Sequence, residues 1–198
     1  MIYPAPTENT AQLANPVLSA MKFSLMVLAG VALITASAKI TVPFWPVPMT
    51  LQTMAIMAIA LATGPRIAIA TMLAYLAAGA VGLPVFAGTP ERGIGLAYMM
   101  GPTGGYLVGY LVAAGLVGFL ARGRGTLGKF VTMMIGMVPV YLLGLAGLSA
   151  FVPSEKVLAL GFTPFVLGDT IKIALVALGY GAIMRLKARR SSNSHDAV

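Results

Sequence analysis

The stretch TPFVLGDTIKIALVALGYG, residues 163–181, sets two charged side chains, Asp169 and Lys172, inside a run that is otherwise apolar enough to dissolve in lipid. A helix needs about 20 such residues to cross a hydrocarbon core of roughly 30 Å. Asp169 and Lys172 are three residues apart, so in a helix they share one face, roughly one turn from its outer end. A charge buried near the bilayer centre costs about 3 kcal/mol on the insertion scale, and a shallower site still exacts part of that. The pair must therefore point into a bundle and be compensated there. Two readings follow. The two charges satisfy each other, with Asp169 also helped by the positive end of the helix. Alternatively they form a polar site for a solute: the carboxylate accepts N–H donors, the ammonium pairs with an anionic group, and aromatic side chains clasp the apolar remainder.

The rest of the chain agrees with a membrane setting. Of 198 residues, 59% are hydrophobic and only 9% charged, too few to cover a water-facing surface of ordinary size. Long uncharged runs recur from Phe23 onward, unlike the single short core of a cleaved secretory signal. Six segments approach crossing length, near 18–38, 48–63, 66–84, 104–121, 130–151 and 164–185, the second of them short. Gly64-Pro65-Arg66 breaks the second from the third, because proline ends a helix and a basic residue anchors it at the interface. With an even number of crossings, Lys22, Arg66, Arg122, Arg124, Lys129, Arg185, Lys187, Arg189 and Arg190 fall on one side, against Lys39, Arg92 and Lys156 on the other. That asymmetry predicts cytoplasmic termini and accounts for the net charge of +8 without nucleic acid. The expected architecture is an all-α integral membrane protein. Six transmembrane helices form one domain over 18–187, between a mobile tail at 1–17 and a polar tail at 188–198.

Several motifs bear on chemistry. Gly123-Arg124-Gly125-Thr126-Leu127-Gly128-Lys129 satisfies the glycine and lysine positions of a phosphate-binding P-loop, but Phe130 stands where Ser or Thr must hold magnesium, and the loop joins two crossings instead of following a strand. An intramembrane aspartyl protease needs two carboxylates, whereas Asp169 is alone among the crossings. The sole histidine, His195, lies in the C-terminal tail, and zero cysteines leave no thiolate metal site. Neither an enzyme nor a metal or cofactor is expected. Small residues recur every four positions at Ala70, Ala74, Ala78 and Gly82, at Gly105, Gly109 and Ala113, and at Ala32 and Ala36. Such ridges let helix backbones approach closely; packing inside the bundle is the default, and one turned outward would dock another membrane protein. Two outer loops stand out. Residues 41–50, TVPFWPVPMT, form a stiff, extended segment whose Phe44 and Trp45 either face a site or join an aromatic belt at the lipid surface; residues 83–106 are glycine-dense and too irregular to face lipid, so they are expected to line a cavity.

Taken in order and spacing, PVPMTLQT at 46–53, GPR at 64–66, GLPVFAG at 82–88, GPTGGYLVGY at 101–110 and the Gly168-Asp169-x-x-Lys172 motif give a chain that, from about residue 20 to 187, resembles the BioY family, the biotin-binding S components of energy-coupling-factor vitamin transporters. The resemblance implies six helices, a substrate cavity near the outer side, and high-affinity capture of biotin with no cofactor. It gives Asp169 the role of accepting the ureido N–H groups, with Lys172 within one turn. Trp45, Gln52, Phe86, Tyr98 and Tyr106 are implied as walls and lid. Some family members carry a basic residue just after the GGY, where this chain has Leu107, which leaves Arg92 or Lys172 to receive the valerate carboxylate. The ridge of the first helix, Ala32 and Ala36 here, is implied to meet a transmembrane coupling subunit. The resemblance further implies a bacterial inner membrane, with separate ABC-type ATPases energising uptake, or a chain acting alone or as a homo-oligomer. The rivals are an S component for another small vitamin and a structural membrane subunit whose charged pair merely satisfies itself.

Overall fold

The computed structural model describes residues 16–43 and 48–195. Trp45 and Phe44, and most of the tail expected at 1–17, lie outside the described residues.

Among these, every segment of high apolarity forms a helix: α1 (Pro16–Lys39), α2 (Gln52–Thr63), α3 (Pro65–Ala80), α5 (Gly104–Leu120), α6 (Thr126–Leu148) and α8 (Thr163–His195), with two short helices between them, α4 (Gly95–Met99) and α7 (Ser154–Gly161). Among the described residues, three spans are long and apolar enough to cross a bilayer: Pro16–Lys39, Thr126–Leu148, and Ser154–Lys187, which joins α7 to α8. α2, α3 and α5 have 12, 16 and 17 residues, and at 1.5 Å per residue the shortest rises only about 18 Å.

Three local expectations are corrected. The proline-rich segment is not simply extended: Thr41–Val42 (β1) pairs antiparallel with Met49–Thr50 (β2), in the register Thr41 to Thr50 and Val42 to Met49, so α2 begins at Gln52 and not near 48. The connection after α6 holds the extra helix α7. The polar tail expected from 188 continues α8 as far as His195; arginine and lysine are good helix formers, so loss of apolarity there does not end the helix.

Glycine governs the closest packing. A Cβ on Gly105 would lie 2.1 Å from the Leu143 carbonyl oxygen, and one on Gly109 would lie 2.6 Å from Val140 Cα. The ridge at 105–109 is thus an internal contact that brings α5 backbone to backbone with α6, in a setting where packing and not hydrophobic expulsion must hold helices together. Gly30 likewise seats α1 on Thr71 of α3. At the α2–α3 turn, Gly64 takes φ 75°, a left-handed conformation that a side chain would oppose. Pro65 then starts α3 where its missing N–H is no loss. Tyr75, Met57, Met72, Met133, Val117 and Ile173 fill the fully buried centre.

Candidate functional site

One end of the bundle is closed by irregular chain, and three anchors hold that chain in place. Leu51 N–H donates to Ser37 O at 3.2 Å, tying the hairpin to α1. Lys39, the last residue of α1, donates from Nζ to Phe86 O (3.0 Å), Thr89 O (2.7 Å) and Thr89 Oγ1 (2.8 Å), which uses an ammonium to gather the carbonyls of the loop before α4. Phe86 enters a notch that exists because residue 79 is glycine; a Cβ there would lie 1.9 Å from Phe86 Cζ. Its ring stands edge-on to Tyr75 (5.4 Å) and stacks on Tyr98 (4.9 Å between centroids).

Beneath this cover lies a cavity of about 250 Å³, walled by both charges of the opening stretch together with Thr50, Gln52, Arg92, Tyr98, Tyr106, Tyr110 and Tyr141. Asp169 and Lys172 are 6% and 7% exposed. Lys172 Nζ donates to Asp169 Oδ1 and to the Thr50 carbonyl, both at 2.9 Å, and Tyr141 OH donates to Asp169 Oδ2 at 2.7 Å. The two charges therefore do pair, yet they do so at the wall of a cavity and not under sealed packing. Each carboxylate oxygen retains a lone pair, and the ammonium retains a third N–H.

The other residues singled out in the sequence divide in two. Gln52, Arg92, Tyr98 and Tyr106 reach the cavity. Gln52 Nε2 donates to Tyr75 OH (3.2 Å), which donates onward to Val85 O (3.0 Å); Tyr98 OH donates to Ala87 O (2.7 Å), and Tyr106 OH to Gly161 O (2.7 Å). The tyrosine hydroxyls thereby fasten the loops at this end and α7 to the helices, while the rings of Tyr98 and Tyr106 remain at the cavity wall. Arg92 lies against Gly88, where a Cβ would come 2.7 Å from Arg92 Cδ, and its guanidinium has no ionic partner among the described residues. Phe86 is 1% exposed and does not reach the cavity; its ring backs Tyr98 instead of forming wall or lid. Leu107 is a buried wall residue. Ala32 and Ala36 lie on the exposed face of α1, so this ridge points out of the bundle.

Thr50, Tyr110 and Tyr141 did not emerge from the sequence as site residues. Tyr110 had a usable signal, since it follows Tyr106 by four positions and must share its helix face; its hydroxyl lies 3.4 Å from Thr53 Oγ1. Tyr141 had none, because a tyrosine in an apolar helix reads equally well as core or interfacial belt. Beyond Tyr141 and Asp169 a second, apolar groove of about 380 Å³ lies between α6, α7 and α8, so these two side chains form part of the partition between cavity and groove.

Electrostatically, the cavity combines one carboxylate with two cations, Lys172 and Arg92. It has room for one more negative charge, flanked by aromatic surface. Its volume falls just below the roughly 300–1,000 Å³ of most small-molecule sites, which suits a compact solute.

Comparison with known families matches residues 9–189 to the BioY family. The chain is 36% identical over 161 residues to a protein of Pyrococcus horikoshii named as a probable biotin transporter BioY, covering 81% of this chain and 94% of that one. It is 34% identical over 169 residues to the biotin transporter BioY of Thermotoga maritima, covering 83% and 98%. Among solved structures, the fold is similar to the crystal structure of the S-component for biotin from an ECF-type ABC transporter, with a TM-score of 0.72 and 27% identity over 85% of this chain and 93% of that one.

Proposed function

The chain belongs to the BioY family, and from that premise we propose that it is a membrane carrier that binds biotin in the cavity beside Asp169 and mediates its uptake. The observation that carries the reading is the buried Asp169–Lys172 pair set in the wall of that cavity, with Arg92 as a second cation there. Biotin matches it group by group. A ureido N–H donates to Asp169, whose carboxylate is held in orientation by Tyr141 and Lys172. The unspent N–H of Lys172 is suited to the ureido oxygen. Lys172 is already engaged by Asp169 and Thr50, so the valerate carboxylate goes to Arg92, and the anion brings the site's charge to zero. Gln52, Tyr98 and Tyr106 supply the walls; Trp45 belongs to the segment next to Met49 and is the candidate lid. Phe86 contributes through Tyr98.

The setting follows from the distribution of charge. The chain crosses a bacterial inner membrane six times over residues 18–187, with both ends cytoplasmic and the cavity toward the outside. The short helix α2 follows the paired strands β1 and β2, and Pro48, Met49 and Thr50 line the cavity, where non-helical backbone at membrane depth is tolerated. As a carrier and not an enzyme, the chain supplies binding and has no nucleotide-hydrolysing part. Uphill uptake draws on a separate coupling subunit and ABC-type ATPases, docked on the outward ridge at Ala32 and Ala36.

Equilibrium titration of labelled biotin into the purified chain tests this. One saturable site, displaced by unlabelled biotin and not by thiamine or riboflavin, is expected. Displacement by another vitamin, or no saturable binding, contradicts it.

A further inference from the structure

At the far ends of α2, α5 and α8 from the Asp169 cavity, a separate cavity of about 320 Å³ opens between the α2–α3 turn, the α5–α6 turn and α8. Arg122 and Lys129 line it. The Arg122 guanidinium lies over Gly64, where a Cβ would be 3.5 Å from Nη2, and it has no hydrogen-bonded or ionic partner among the described residues. Arg122 is exposed, so its guanidinium is open to water and to a ligand, and it does not cap the helices that end beside it. α2 and α5 both end at this cavity, and their last carbonyls are the acceptors a guanidinium would take if it served only to cap helices. Lys129 donates to the Arg124 carbonyl and stands 5.0 Å from the Tyr180 ring centroid, which fixes its ammonium against the α8 wall.

Among the described residues no carboxylate lines this cavity. The described carboxylates, those of Glu91, Glu155 and Asp169, sit on the loop before α4, on α7 and early on α8, all at the other end of the bundle. Arg66 and Arg124 flank the same turns and add to the positive field. Gly123 and Lys129 come from the run that imitates a P-loop, but with no preceding strand and no Ser or Thr after the lysine it lacks the means to hold a nucleotide's magnesium. What the cavity offers a phosphate oxygen is two cations, Arg122 open to solvent and Lys129 held beside Tyr180. Phe119 and Leu127, on the two segments that also bear Arg122 and Lys129, are 66% and 75% exposed and give those segments apolar surface outside the cavity lining. Phosphate with adjoining hydrocarbon is the chemistry of a phospholipid.

We propose that this cavity binds the phosphodiester headgroup of an anionic phospholipid, between Arg122 and Lys129. The site is independent of the biotin cavity.

The purified full chain, stripped of lipid in a neutral detergent, is titrated with short-chain phosphatidylglycerol, phosphatidylcholine of the same chains, inorganic phosphate and glycerol 3-phosphate. Binding is followed by the thermal midpoint and by native mass spectrometry. Phosphatidylglycerol is expected to saturate one site and to outcompete the other three probes. Replacing both cations, Arg122→Gln with Lys129→Gln, weakens it by about thirtyfold, whereas Arg185→Gln with Lys187→Gln, cations on α8 that do not line the cavity, changes it by less than about threefold. The single variants Arg122→Gln and Lys129→Gln carry the test if the double variant does not give a monodisperse, cooperatively melting protein. Unchanged phosphatidylglycerol binding in the cavity variants, equal loss in the α8 variants, or equal affinity for phosphatidylcholine overturns the proposal. Saturation by inorganic phosphate or glycerol 3-phosphate at matching affinity also overturns it, in favour of a soluble anion site.

Discussion

Substitution at the Asp169–Lys172 pair, beginning with Asp169→Asn, tests whether the two charges serve each other or a ligand. The substitution keeps the shape but leaves Lys172, 7% exposed, facing a neutral amide, and it weakens the 2.7 Å bond from Tyr141. Removing one partner of a buried pair typically destabilises by about 3–5 kcal/mol. The lower end applies here, because the Thr50 carbonyl still accepts from Lys172 at 2.9 Å. Binding should suffer separately: a hydrogen bond to a charged group contributes about 1.5–3 kcal/mol, which corresponds to roughly ten- to hundredfold weaker biotin affinity. Stability and affinity fall together in this variant, so it cannot decide alone. The double variant Asp169→Asn with Lys172→Met does, since no uncompensated charge remains and most of the lost stability should return. Affinity should stay at least about tenfold down. Thermal melts and isothermal titration on the same preparations read both quantities. A folded double variant that binds biotin within about twofold of the parent chain would refute the reasoning and make the pair purely structural.

Arg92→Gln should weaken biotin by roughly tenfold or more while leaving the neutral biotin amide almost unaffected, because only the acid presents a charge to the guanidinium; paired titrations check this. Lys39→Met removes three bonds that gather the loop from Phe86 to Thr89, so dissociation of labelled biotin should accelerate by about tenfold. Gly109→Leu drives a side chain into Val140 and should destabilise by about 3 kcal/mol or more in thermal melts, whereas Gly179→Leu, with nothing within 4 Å of a Cβ, should be close to neutral. Ala36→Trp, on the exposed face of α1, should leave biotin binding intact and abolish uptake in cells that supply a coupling subunit, as measured by labelled-biotin accumulation.

Much of the fold was legible because lipid solvation makes apolarity itself the signal. Each of the six apolar segments carries a helix, and Pro65 marked the α2–α3 turn. Short polar elements give no comparable signal. The hairpin is two residues per strand, and α7 carries Ser154, Glu155 and Lys156, so both read as loop. The end of α8 was misjudged because an apolarity scan detects only the membrane-like part of a helix. At the site, three-residue spacing was enough to bring Asp169 and Lys172 together, since local geometry fixes it. The Thr50 carbonyl was beyond reach: a backbone oxygen 122 positions away becomes a partner only through the hairpin's register. Phe86 shows the opposite limit. A loop aromatic beside glycines suggests a ligand wall, but the notch at Gly79, seven residues earlier, takes the ring into the core.

A structure of the chain with biotin bound would show whether Asp169 and Lys172 meet the ligand. The ureido ring is expected within hydrogen-bond distance of the Asp169 carboxylate, and the valerate carboxylate against Arg92. Biotin seated instead in the apolar groove between α6, α7 and α8, or elsewhere with Asp169 and Lys172 touching only protein, would contradict that placement.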